Sequence, residues 1–224
     1  MFLEFDHRES NSPYVERIWR SRSRSGGPFL SMAEGSIELV VTRLPGFMAV
    51  TLRGPVSRGS VFECPPNGEW LAIRFRLGTH LPRIPTAALI DHQDVQLPVL
   101  PNGRFWFSDL TWEIPSYDSA EDFVARLARA GVIARSHATD AAVEGDVDWM
   151  SKRSVQRHFR RVTGMTFGSY QQIQRARHAA ILLTGGSSVL SATFDAGYFD
   201  QAHLTRSVKQ LIGMTPARLA REKP

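Results

Sequence analysis

The spacing of apolar positions changes character along the chain, from β-type runs in the first half to helical spacing in the last third. Residues 37–43 and 47–53 are two β-rich runs around Pro45-Gly46, a turn dipeptide, and so predict a hairpin. Residues 60–64 and 69–77 form a second pair about Pro65-Pro66-Asn67-Gly68. With 29–32 and 15–21 added, the first half predicts an antiparallel β sandwich or small barrel. Residues 82–101 are Pro-rich and read as loop, with a short helix around 87–90. Phe105, Trp106, Phe107, Leu110 and Trp112 follow, and are expected to be core rather than a ligand cage. Ser119-Ala120-Glu121-Asp122 has the capping-box pattern, and Phe123, Leu127 and Ala130 then fall at helical spacing before Gly131.

The last third contains one pattern twice. Residues 155–166 read VQRHFRRVTGMT and residues 204–215 read LTRSVKQLIGMT, an offset of 204 − 155 = 49 that Gly164 and Gly213 repeat. On a helix Val155, Phe159 and Val162 gather on one side, while Arg153, Arg157 and Arg160 gather on the other. In the second copy Leu204, Val208 and Leu211 are the apolar set, and Ala202, Arg206 and Lys209 replace the three arginines. Ser151 and Asp200 suit N-caps, and Gly164 and Gly213 suit the helix ends. Upstream of the second copy, 188–196 predicts a short helix with Val189 and Phe194 inward, and Gly197-Tyr198-Phe199 a tight turn. Helix, short turn and capped helix with a polar face make a helix-turn-helix. In the first copy the place of Gly197 falls on Asp148, since 197 − 49 = 148, so its leading helix is atypical. Asp146 and Asp148 would repel DNA there unless they cap the Ser151 helix or pair with Arg153, and Trp149 is expected to supply the missing apolar contact. Residues 167–183 predict one longer helix, with a stripe of Tyr170, Ile173, Ala176 and Ala180, ended by Gly185-Gly186.

Charge bears on what these helices meet. From residue 151 to 194 there are seven Lys or Arg and no Asp or Glu, within a chain of 224 residues and formal net charge +5. A solvated surface mixes signs, whereas a cationic helix face suits the phosphates of a nucleic acid.

The runs SKRSVQRHFRRVTGMT at 151–166, RARHAAILL at 175–183 and DAGYFDQAHLTRSVKQLIGMTPARL at 195–219 resemble the DNA-binding domain of the arabinose-regulator (AraC/XylS) family of transcription regulators. The resemblance implies two helix-turn-helix units joined by a linker helix and entering successive major-groove segments of double-stranded promoter DNA. It also implies an amino-terminal, cupin-like barrel that senses a small-molecule effector or dimerises. The expected fold is therefore α+β in two domains. Residues 1–115 are the β-rich part, 116–136 a connecting helix and linker, and 137–224 an all-α domain with two helix-turn-helix units. DNA contacts are expected from Lys152, Arg153, Ser154, Gln156, Arg157, Arg160 and Arg161 in the first unit, and from Gln201, His203, Thr205, Arg206 and Lys209 in the second. Arg153, Ser154 and Arg157 lie early on their helix and suit base edges; Arg160 and Arg161 suit phosphate. Gln201, His203, Thr205 and Arg206 suit base edges, Lys209 suits backbone, and Gln156 has the neighbouring helix as its alternative. Arg175 and Arg177 are expected to strengthen the positive field without reading sequence.

Two enzyme classes compete with the regulator. An alkyl-transfer repair protein with an accessory DNA-binding domain needs a nucleophilic cysteine, and Cys64 in Glu-Cys-Pro-Pro has no adjacent His or Arg to activate it. A cupin-type metal enzyme needs clustered ligands, and His7, His80 and His92 are scattered. No catalytic residue, metal or cofactor is expected. Arg74 or Glu38 would orient a polar effector if they face a barrel interior, and are otherwise ordinary strand charges. One cysteine rules out an intramolecular disulfide. Neither a signal peptide nor an apolar run of membrane-spanning length is read, so the expected place is the cytoplasm, with the nucleoid, and no membrane. RNA polymerase and a second copy of the chain stay open as partners, and activation and repression stay open as outcomes.

Overall fold

The computed structural model describes residues 2–91, 94–147 and 150–221. By packing, the chain falls into two compact units, one of residues 1–27, 36–55 and 64–165, the other of 28–35, 56–63 and 166–224.

The first unit is built on a six-stranded antiparallel sheet in the order β1 (Leu3–Glu9), β2 (Val15–Ser23), β7 (Glu69–Phe75), β4 (Glu38–Leu44), β5 (Phe47–Arg53), β9 (Val95–Leu97). The predicted hairpin is β4 with β5, closed at Gly46 with φ +73°, a backbone that glycine adopts without steric penalty. Register places Ile18, Ile73, Leu39 and Leu52 side by side on one face. A second hairpin, β10 (Arg104–Phe107) with β11 (Leu110–Glu113), turns through Ser108 and Asp109, both at positive φ, as a two-residue loop of primed type requires. It delivers Phe105 and Phe107 to the core, while Trp106 stays 47% exposed, so only part of the aromatic cluster is core. Helix α1 (Ala120–Arg129) completes this core with Phe123, Val124 and Leu127, and Phe123 meets the edge of Trp112 at 6.1 Å.

Two expectations fail here. Residues 60–64 and 69–75 do form strands, but β7 lies between β2 and β4, and β6 (Ser60–Cys64) pairs instead with β3 (Gly27–Ser31). The reason is burial: β7 alternates buried Leu71, Ile73 and Phe75, which suits a central strand, whereas Val61 and Phe62 of β6 are exposed. The capping box at Ser119 does not form either. No side-chain bond caps α1, because the Ser119 hydroxyl accepts from the Ser116 backbone N–H at 2.9 Å instead.

The same unit contains α2 (His137–Glu144) and α3 (Lys152–Thr163), which pack together and against the short pair β8 (Thr79–His80) with β12 (Ala134–Arg135) and the 3₁₀ turn Thr86–Ala88. Gly164 ends α3 at φ +78° so close to that turn that a Cβ would lie 3.0 Å from Ala87 N.

The second unit gathers α4 (Phe167–Thr184), α5 (Val189–Asp195), α6 (Gln201–Ile212) and α7 (Pro216–Leu219) around Ile173, Ala176, Leu183, Leu204, Val208 and Ile212, all buried. The segments 28–35 and 56–63 belong to it as well. Ala33 N–H donates to Leu211 O at 2.7 Å and Gly59 N–H to Gln210 O at 2.9 Å, satisfying carbonyls that the end of α6 leaves without intrahelical donors. Packing thus groups 137–165 with the sheet and two upstream segments with the later helices.

Candidate nucleic-acid interface

Both predicted reading helices are present with their predicted caps. The Ser151 hydroxyl accepts from Ser154 N–H at 3.2 Å at the start of α3, and the Asp200 carboxylate from His203 N–H at 2.6 Å at the start of α6. Both helices run twelve residues and end on left-handed glycines, Gly164 and Gly213. Phe159 and Val162 of α3 and Leu204, Val208 and Leu211 of α6 are buried, and Val155 is half-buried, so the apolar stripes do face inward.

The polar stripes face outward. Lys152, Arg153, Gln156, Arg157, Arg160 and Arg161 are exposed on α3, and Ser154 is half-buried beside its cap. Gln201, His203, Thr205, Arg206 and Lys209 are exposed on α6. Gln156 therefore faces outward, not the neighbouring helix. Arg160 and Arg161 lie in the last turn of α3 and Lys209 in that of α6, where a cation complements the helix macrodipole. Lys152 and Arg153 break that rule. They occupy the first turn of α3, at its positive end, and no acidic residue accompanies them. A local arrangement unfavourable by itself is relieved when an external anion lies over the amino terminus.

Several side chains are already engaged. Arg161 lies 3.2 Å from His158 Nδ1 and the Ser136 hydroxyl 2.6 Å from His158 Nε2. Because arginine can only donate, Nδ1 accepts and Nε2–H donates to Ser136. Burial, followed by the charges of Arg161 and His80, pushes the His158 pKa below the ordinary imidazole value. Neutral His158 thus ties α3 to the N-cap of α2. Thr205 donates to Gln201 O at 2.7 Å, which leaves its oxygen as an acceptor toward a ligand. The His203 ring meets Tyr198 edge-on at 5.1 Å.

The turns differ between the two copies. In the second, α5 and α6 are joined through Gly197 at φ +72°, and Tyr198 is buried, bonding Ser207 Oγ at 2.9 Å. In the first, α2 stops at Glu144 and is capped by Gly145 at φ +82°. Helix starts are 201 − 152 = 49 apart but preceding helix ends are 195 − 144 = 51 apart, so the first turn is two residues longer. The left-handed glycine of the first unit is Gly145, directly after α2. Asp148 and Trp149, assigned repulsion and an apolar contact from sequence, lie outside the described residues, as does His92.

Two further expectations are corrected. Phe194 is not inward but 63% exposed; Ala192 and Thr193 are the buried residues of α5, because its inner face begins one residue earlier. Arg177 does not contribute free positive field, since it is half-buried and ion-paired with Glu34. Arg175 stands over the Tyr198 ring at 5.5 Å and braces the turn.

Cys64 and Glu38, singled out for other chemistries, are both held within the β-rich unit. Burial raises the Cys64 thiol pKa, an effect that the Ser23 hydroxyl opposes but does not reverse, so the thiolate is disfavoured. Buried Glu38 accepts from Trp19 Nε1 at 3.2 Å and Arg74 Nε at 3.0 Å, an internal pair on the sheet. No helix among the described residues is long and apolar enough to cross a membrane.

A family model described as a helix-turn-helix domain matches residues 149–222. The matched stretch is similar to AraC-type helix-turn-helix domains and spans 74 of the 224 residues. This domain begins just before α3 and runs through α7, with α2 upstream of the match. No curated protein matches the chain. Among solved structures, the chain is similar to ToxT from Vibrio cholerae in a P21 crystal form, at 9% identity over 96% of this chain and 97% of that one, with a TM-score of 0.42. It is also similar to ToxT of strain O395 bound to (E)-4-(8-methylnaphthalen-1-yl)but-3-enoic acid, at 9% identity over 98% of each chain and a TM-score of 0.40. A third is unsaturated fatty acid-bound ToxT of strain SCE256, at 11% identity over 97% of this chain and 91% of that one, with a TM-score of 0.38.

Proposed function

We propose that the chain is a sequence-specific transcription regulator that grips promoter DNA with α3 and α6, residues 137–224 acting as the DNA-binding domain. The observation that carries the proposal is the pair of capped helices, each burying its apolar stripe and exposing its polar one, with Lys152 and Arg153 at the positive end of α3. Arg153, Ser154 and Arg157 on α3, and Gln201, His203, Thr205 and Arg206 on α6, are assigned to base edges. Lys152, Arg160, Arg161 and Lys209 are assigned to phosphate. The β-rich half takes the sensory or dimerising role that the family layout implies, with a small-molecule effector and a cytoplasmic, nucleoid-bound location as parts of the proposal.

The division of labour has a direct test. Arg157→Ala is expected to relax preference at one base pair, at about 1–3 kcal/mol against the preferred base. Arg161→Ala is expected to weaken all sites alike. Binding measured against a panel of single-base variants separates the two, and the same uniform loss from both would refute the assignment.

A further inference from the structure

Phe199 is 87% exposed, more than any other large apolar side chain described, and nothing in the fold accounts for it. It occupies the position just before Asp200, the N-cap of α6. An apolar residue there often packs back on the fourth helical residue and fixes the entry of the chain. In α6 that residue is Leu204, which is fully buried, while Phe199 is open to solvent. The anchoring task has passed to Tyr198, which is 4% exposed and bonded to Ser207. Phe199 therefore leaves a large apolar surface in water at the amino-terminal end of the helix assigned to reading DNA. That end of a recognition helix is the one that reaches base edges.

We propose that Phe199 is a specificity-determining residue, its ring packing against the C5-methyl group of a thymine in the major groove. This rests on the DNA-binding reading of α6 and extends it from hydrogen-bond donors to an apolar contact. The thymine methyl is the one apolar group that the major-groove edges present, and phenylalanine is among the side chains that meet it. Of the neighbouring exposed residues Gln201, His203 and Arg206 are polar, and Ala202 and Thr205 offer a single methyl group each. None can recognise a methyl group as an aromatic ring does. Ile181, Leu190 and Phe194 are exposed too, but they belong to α4 and α5 and not to the entry of the reading helix.

The test uses the full chain on the duplex it selects from a random library, with each thymine replaced singly by deoxyuridine, which removes only the methyl. Wild type is expected to lose about fourfold in affinity at one thymine, the scale of burying one methyl group. Phe199→Ala is expected to bind the thymine and uracil forms of that position alike, and Phe199→Leu to keep most of the difference. An 87% exposed side chain leaves the fold unchanged when removed, so the melting temperature of Phe199→Ala should equal that of wild type. Insensitivity of wild type to every replacement, or an undiminished methyl effect in Phe199→Ala, overturns the inference while leaving DNA binding in place. Failure to select any duplex overturns both.

Discussion

Gly59→Ala is expected to lower the melting temperature by about 6–12 °C, corresponding to roughly 3 kcal/mol in a chain of this size. A Cβ at this position would lie 2.2 Å from Ile212 C and 2.3 Å from Gly213 N, backbone atoms at the end of α6. Nothing at the far end of a flexible side chain is available to give way. Separation is opposed by the bonds that join the same segments, Gly59 N–H to Gln210 O and Ala33 N–H to Leu211 O. The penalty is therefore one of close approach and not of backbone conformation. Gly46→Ala is the matching control: its Cβ would meet open space, but φ is +73°, so it carries conformational strain alone, about 1–2 kcal/mol. Thermal unfolding of the two variants distinguishes the cases. Equal melting shifts would mean that the 56–63 segment does not hold the end of α6.

The second large effect is electrostatic. If Lys152, Arg160, Arg161 and Lys209 each neutralise one phosphate, log affinity should fall with log salt at a slope of about −3.6, or about 150-fold between 50 and 200 mM. Each Ala substitution among the four should flatten the slope by about 0.9. Arg157→Ala, placed on a base, should shift the affinity with little change of slope. Binding isotherms at four or five salt concentrations supply the measurement. A slope near zero in the wild type would remove phosphate contact from the account.

The helices were legible because their signals are local. A cap, a stripe at three-and-four spacing and a terminal glycine all fall within a dozen residues, and α3 and α6 follow from them nearly to the residue. The β4–β5 hairpin was legible for the same reason, with Gly46 at its turn. Sheet order was not. Nothing near residues 60–75 says that β6 pairs upstream with β3 and leaves β7 between β2 and β4, because those pairings join distant segments. The longer first turn was misplaced because a constant offset cannot reveal a two-residue insertion; Gly145 was the available signal, as a glycine directly after a helical run. Phe194 and Phe199 were uninformative by type, since a phenylalanine reads as core unless burial is known. The tie of Arg161 to His158 and of His158 to Ser136 depends on α2 packing against α3. Arg177 with Glu34 and Gly59 with α6 likewise depend on contacts between residues far apart in the chain.

The measurement closest to the central claim is selection of bound duplexes from a random library by the full chain at fixed salt, followed by the same selection with Arg157→Ala. The account predicts that wild type enriches one defined sequence and that Arg157→Ala enriches a sequence relaxed at a single position within it. Recovery of an unenriched library by wild type, with only salt-dependent background binding, would contradict it.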